Sequence, residues 1–342
     1  MSLITKLLIW VTIVGVGIAC TQAKLETAPP TLKIAIVAPF EGLHRPLGYE
    51  ALFGVKLALQ ERNQAGGIQG HQVELVALND FDEPEEAVGQ AKAAIADPDV
   101  LGVVGHLSAA TTAAALPVYQ EANLAVVIPW STDAPQEAHR GAVMVAANLA
   151  EAATYLDTYR QKNGWPNQVE LQGPDFSAIT AETQVITLAA DSVTAAEILL
   201  ALQQTNLVKP VLGQVDVGSP QTAQVAKSAA NGLVYVSPGP DPQQMAHLAS
   251  FVKAYQTLAG FTPGPRAVLA YDAAQTLFDG IEQSLSINKQ ATRAEISGLI
   301  NQVQRHGLTG GIAFDSLGRR LEAPLWLYQV VNQTYPGRQL AP

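Results

Sequence analysis

Six histidines, at positions 44, 71, 106, 139, 247 and 306, and one cysteine, Cys20, are the groups best suited to metal or nucleophilic chemistry. The histidines do not recur at metal-ligand spacings, and a lone cysteine allows neither an intramolecular disulfide nor a Cys-based metal site. There is no G-x-S-x-G elbow, no Walker A loop and no G-x-G-x-x-G turn. His106 beside Ser108 could suggest a nucleophile pair, but an ordinary loop histidine accounts for it. Asp80-Phe-Asp82-Glu83 with Glu85-Glu86 has the oxygen-rich character of a weak calcium loop; a solvated acidic helix start explains it more simply. Enzymatic chemistry is not expected, nor is a metal or cofactor. The polar residues of interest instead follow short apolar runs: Ser108 and Ala109 after one, Trp130, Ser131 and Thr132 after another, and Asp191 and Asp216 later in the chain.

Those runs belong to a regular alternation. Residues 32–39, 73–78, 100–104 and 124–128 read as buried strands. Helical patterns lie between them, one carrying Leu52, Val55 and Leu59 and ending near Ala65-Gly66-Gly67, another opened by Asp82-Glu83-Pro84. A helix is expected over 150–160 and a weak strand over 169–171. Later strands are expected at 184–188, 208–212, 232–236 and 325–331, with helices over 194–204, 245–258 and 268–285. Apolar strands alternating with helices indicate parallel sheets covered on both faces. In such sheets ligands sit outside the carboxyl ends of the strands, where helix N-termini present free N–H groups. The loops at Ser108 and Trp130 should therefore face one cleft.

Near the start of the sequence Lys6 precedes an apolar stretch from Leu7 to Ala19 that is short for a membrane span, which takes about 20 residues. This pattern fits a secretory signal over residues 1–19; an uncleaved anchor helix is the alternative. Residues 20–31, with Pro29-Pro30, read as a tether. About 320 of the 342 residues remain, 48% of the whole being apolar and only 15% charged, enough for two sizeable cores. A net charge of −10 argues against nucleic-acid binding.

Several blocks together resemble the branched-chain amino-acid (leucine/isoleucine/valine) binding proteins of ABC transporters. They are Asn63-Gln-Ala-Gly-Gly-Ile-Gln-Gly70 with Val73-Glu-Leu and Asn79-Asp80, then Val103-Val-Gly-His-Leu-Ser-Ala-Ala-Thr-Thr112, Val127-Ile-Pro-Trp-Ser-Thr132 and Leu269-Ala-Tyr-Asp-Ala-Ala274. Gly17-Ile-Ala-Cys20 likewise resembles a bacterial lipobox, implying lipid on Cys20 and anchorage outside the cytoplasm. The resemblance implies the type I periplasmic-binding-protein fold: two doubly wound α/β lobes joined by a hinge, with lobe 1 over 32–146 and 250–308 and lobe 2 over 147–249 and 309–334. It implies a non-enzymatic role, capture of an amino acid or amide for an ABC permease; a sensor component, or a degenerate binding protein, remains an alternative. Thr132 matches a residue contacting both polar ends of the ligand, and Ser108 and Ala109 fall on the carboxylate loop, with Ala109 where serine is usual. Trp130 and Ser131 adjoin that site. Leu47 and Asp191 stand where aromatics are common, and Asp216 lies near an ammonium-binding glutamate. Ser108 and Thr132 also suit helix caps, Trp130 a core, and Asp191 and Asp216 turns or caps. A strand–helix–strand unit needs about 30 or more residues, and the interval from Gln161 to Ala189 can hardly supply the usual complement, so lobe 2 is expected to lack about one strand–helix unit and to have a smaller sheet.

Overall fold

The computed structural model describes residues 30–130, 133, 141–205 and 207–341. The expected signal run, Cys20, most of the tether, Ser131 and Thr132 lie outside the described residues.

The first sheet is wholly parallel, ordered β2-β1-β3-β4-β5 from β1 (Thr31–Ala38), β2 (Gln72–Asn79), β3 (Val100–Val104), β4 (Ala125–Ile128) and β5 (Ala142–Met144). Three helices connect the first four strands: α1 (Arg45–Gln64), α2 (Pro84–Ala96) and α3 (Ala109–Glu121). β3, β4 and β5 are buried along their whole length, as continuous apolar runs require when both faces are covered. The chain enters at β1, moves outward to β2, then returns past β1 to β3. This reversal parts the loops leaving β1 and β3 and opens a crevice between them.

The second sheet is built on β6 (Gln168–Leu171), β7 (Val185–Leu188), β8 (Val211–Gly213) and β9 (Val234–Ser237), parallel and side by side in chain order. Helix α4 (Leu149–Lys162) leads into it; α5 (Ser192–Gln203) and α6 (Pro220–Ala226) connect its strands. The chain then returns to the first sheet through α7 (Ala249–Ala259), α8 (Pro265–Asn288) and α9 (Arg293–Leu299). It forms the hairpin β10 (Arg305–Gly307) and β11 (Gly310–Ile312), and ends in the second sheet as β12 (Trp326–Val331) and β13 (Thr334–Leu340). Both last strands pair antiparallel, β12 on β9 and β13 on β12. Gly54 lets α8 cross α1 closely: a Cβ there would lie 2.3 Å from the Ala267 carbonyl oxygen.

The expectation of a smaller second sheet is corrected: among the described residues it has six strands against five in the first. The closing hairpin needs only Asn332 and Gln333, both at positive φ as a tight two-residue turn demands, so it adds a strand at little cost in chain length. What is absent is a crossover helix. Residues 172–184, which join adjacent parallel strands β6 and β7, form only bends and turns. Nor does the strand order reverse from β6 to β9, so the second sheet has no counterpart of β2. Val169 and Leu171 face the α5 core, while Gln168, Glu170 and Thr187 face a polar groove of about 360 Å³ beside Asp157 and Arg160 of α4. Tyr155, Tyr159, Trp165 and Phe176, the aromatics between residues 150 and 189, all pack against the hydrophobic cores.

Distant residues finish several helices. α2 ends at Asp97 with no glycine, and Arg293 supplies donors to its end: Nη1 to the Ile95 carbonyl at 3.0 Å, Nη2 to that of Asp97, and Nε to that of Val100 at 2.8 Å. Hydrogen bonds from charged groups contribute about 1.5–3 kcal/mol. Arg293→Ala is expected to lower stability by about that amount, read as a lower urea midpoint with an unchanged m-value.

Candidate functional site

Four loops leave the carboxyl ends of the first sheet, and side chains tie them together. Asn79 Oδ1 accepts from the Phe40 amide at 2.8 Å and the Phe81 amide at 3.1 Å, joining the loops after β1 and β2. Asp80 is fully buried; its carboxylate accepts from the Asp82 amide at 3.1 Å and lies 2.6 Å from His106 Nδ1. His106 Nε2 is 3.1 Å from the Tyr119 hydroxyl, whose pKa burial and then the Asp80 charge push up. Both ring nitrogens of His106 are thus held within the core, away from Ser108, and the Asp80 carboxylate is committed as well. Phe81 and Asp82 adopt φ of 53° and 63°, a backbone seldom used by aromatic residues, and Phe81 is 41% exposed. The Asp82 carboxylate is 3.6 Å from His44 Nε2.

Ser108 caps α3, its hydroxyl accepting from the Thr111 amide at 3.4 Å, and Ala109 is the first helical residue; both are half-buried. The helix end that follows β3 therefore points its free N–H groups and positive dipole at the crevice. Leu47 is buried in the first turn of α1. Trp130, just past β4, is 2% exposed and lies beneath the Arg266 guanidinium, 3.8 Å from ring centre to Cζ. In the second sheet Asp191 caps α5, accepting from the Val193 and Thr194 amides at 2.8 and 3.0 Å. Burial works to raise its pKa, but the hydrogen bonds from Thr194 and Val193 outweigh it and hold the carboxyl below the usual range. Asp216 follows β8 in a short turn and keeps an exposed surface. Desolvation by the packing around it pushes its pKa up; Arg266 opposes this, while Asp82, Asp191 and Asp133 reinforce it. Asp216 and Asp191 from one sheet are thereby brought together with Asp82 from the other.

Arg266, Glu50 and Tyr335 stand at this site without having been singled out in the sequence. The N-cap of α8 is Gly264, which has no side chain to offer, and Glu50 of α1 takes that role: Oε1 accepts from the Arg266 amide at 2.7 Å and the Ala267 amide at 3.2 Å. Burial raises the Glu50 pKa, against the pull of the Arg266 charge and these two amides. Arg266 also lies near Tyr335 in the second sheet, where its charge works against the burial that raises the Tyr335 pKa; the Tyr335 ring stacks on Tyr235 at 6.2 Å. Gln221 of α6 donates to the Leu43 carbonyl at 3.0 Å, a second contact between the lobes. Arg266 Nε and Nη1 and Trp130 Nε1 are buried with no hydrogen-bond partner. The one sequence signal for this cluster was Gly264-Pro265, a helix start lacking a cap; its partner is more than 200 residues away.

Residues 31–165 match the periplasmic binding protein family. Over 108 residues the chain is 34% identical to an amino acid binding protein of Pseudomonas aeruginosa, covering 32% of this chain and 29% of that protein. The match thus spans less than a third of that relative's length. It is 25% identical over 312 residues to the leucine-specific-binding protein of Salmonella typhimurium, covering 79% of this chain and 84% of that one. A leucine binding protein from Thermotoga maritima superposes with a TM-score of 0.78 over 89% of this chain and 97% of its own, at 21% identity. The fold is therefore that of type I periplasmic binding proteins, and the chain is similar to the branched-chain amino-acid binding proteins.

Proposed function

We propose that this protein is an extracytoplasmic solute-binding protein that captures a small polar ligand, an amino acid or amide, between its two lobes for an ABC importer. The observation that carries this reading is the convergence of loops from the carboxyl ends of the parallel strands of two sheets. The N-terminus of α3 follows β3 of the first sheet, and Asp216, which has no ion-pair partner among the described residues, follows β8 of the second. A helix N-terminus suits a carboxylate and an aspartate suits an ammonium group, so the pair is complementary to a zwitterion. Similarity to amino acid binding proteins over most of the chain supports the ligand class. In this reading Leu47, Ser108, Ala109, Trp130, Ser131, Thr132, Asp191 and Asp216 form the ligand shell, and lipid on Cys20 holds the protein at the outer face of a membrane beside its permease.

The test is thermal unfolding against a panel of amino acids and small amides. A ligand at one hundred times its Kd should stabilise the fold by about 2.7 kcal/mol. A rise in Tm that grows with ligand concentration supports the reading, and a panel in which no member shifts Tm refutes it.

A further inference from the structure

We propose that the cleft selects an amino acid whose side chain carries a second positive charge, gripped by carboxylates from both sheets. The inference rests on the solute-binding reading and narrows its ligand class. Asp82, Asp133, Asp191 and Asp216 follow the carboxyl ends of β2, β4, β7 and β8, two from each sheet, and the other three all act electrostatically on Asp216. Among the described residues no lysine or arginine comes within ion-pair distance of any of the four; His44 near Asp82 is the one basic group that does.

Acidic loops are often merely solvated; the buried, unpartnered donors of Arg266 and Trp130 beside these carboxylates set them apart. Arg266 is 5% exposed, supplies the positive charge that acts on Asp216, and leaves Nε and Nη1 without acceptors; the Trp130 indole N–H is equally unpartnered. Buried donors without acceptors are costly, and they call for an anionic or carbonyl group in the cleft. A ligand carboxylate directed toward these donors leaves its cationic groups to the aspartates. A neutral zwitterion brings one ammonium group to four carboxylates, whereas a basic amino acid brings two, one for each wall. Like charges left facing one another across a closing cleft oppose closure, so the second cation also favours the closed form.

Calorimetric titration of the protein with lysine, arginine, leucine, glutamine and cadaverine tests this. Lysine or arginine is expected to bind at least tenfold more tightly than leucine or glutamine. The double variant Asp82→Asn, Asp191→Asn removes two negative charges while preserving local structure, because asparagine caps helices well and tolerates positive φ. It should lose at least tenfold in affinity for the basic amino acid and a clearly smaller factor for leucine. Tighter binding of leucine or glutamine than of lysine and arginine overturns the inference and leaves the solute-binding reading standing. Cadaverine binding more tightly than lysine overturns the role given to the buried donors, and the proposal with it. Unchanged lysine affinity in the double variant likewise overturns it, and binding of none of the five counts against both this inference and the reading beneath it.

Discussion

Asp272→Ala is expected to destabilise the protein by about 3–5 kcal/mol, the range for removing one partner from a buried charged network. Asp272 lies in α8, fully buried, where three segments pass between the lobes: residues 145–148, 238–248 and 313–325. Its carboxylate accepts from the Leu308 amide at 2.8 Å, the Thr309 amide at 3.0 Å and the Thr309 hydroxyl at 2.6 Å, which fixes the turn of the β10–β11 hairpin. That hydroxyl accepts in turn from Arg320 at 2.8 Å, and Arg320 donates to the Val145 carbonyl at 2.9 Å and the Thr309 carbonyl at 3.0 Å. One network therefore spans the helix, the hairpin and two of the three crossings. Burial raises the Asp272 pKa against the hydrogen bonds of Thr309 and Leu308, and lowers that of Arg320 against the Asp272 charge. Alanine would leave the two amides without acceptors and Arg320 with no anion nearby. Gly307 packs directly on the carboxylate, so the vacated space has backbone on one side and cannot readily collapse. Chemical denaturation measures the loss. A cost below about 1 kcal/mol, the scale of a single neutral hydrogen bond, would show that the network does not hold the crossings.

Much of this architecture was legible because strands covered on both faces are written as uninterrupted apolar runs. Residues 100–104 and 124–128 read as strands for that reason and stand as β3 and β4. Short or polar strands left no such trace. β5 has three residues, and β13, Thr-Tyr-Pro-Gly-Arg-Gln-Leu, has neither alternation nor β-branched character beyond its first position. The strand read over 208–212 begins only at Val211, since Pro210 cannot donate to a ladder. The helix read from Met245 begins at Ala249, after two short turns. At the site, Asp191 was reached through a family position, while its local sequence, Asp-Ser-Val-Thr ahead of an apolar helix, is an N-cap signal in its own right. Arg266 and Glu50 were not legible, because neither belongs to a local pattern; their importance comes from a helix crossing that brings α1 onto the start of α8.

That crossing leads to the second large expected effect. Arg266→Ala should lower stability by about 3–5 kcal/mol, and Glu50→Gln should recover part of the loss in the same chain. Arg266 provides the charge that offsets the burial of Glu50 and covers the Trp130 ring, a stacked cation–π contact that contributes about 2 kcal/mol when desolvated. Without it, Glu50 remains as an acid with no cation beside it at a helix start where it cannot be dispensed with. Glutamine keeps an oxygen for the Arg266 and Ala267 amides while removing the charge, so the double variant should be more stable than the sum of the two single losses allows. The expected coupling is about 1–3 kcal/mol, as for residues in contact. Tyr335→Phe separates the other half of Arg266's role. It removes only the hydroxyl that meets Arg266 from the second sheet, and should cost little in stability while loosening the lobes, seen as a larger radius of gyration in small-angle scattering without ligand. Strict additivity in the Glu50–Arg266 cycle would mean that the two side chains act independently and that the amide bonds alone secure the start of α8. Coupling together with an unchanged radius in Tyr335→Phe would confine Arg266 to the first lobe, as a brace for Trp130 and Glu50.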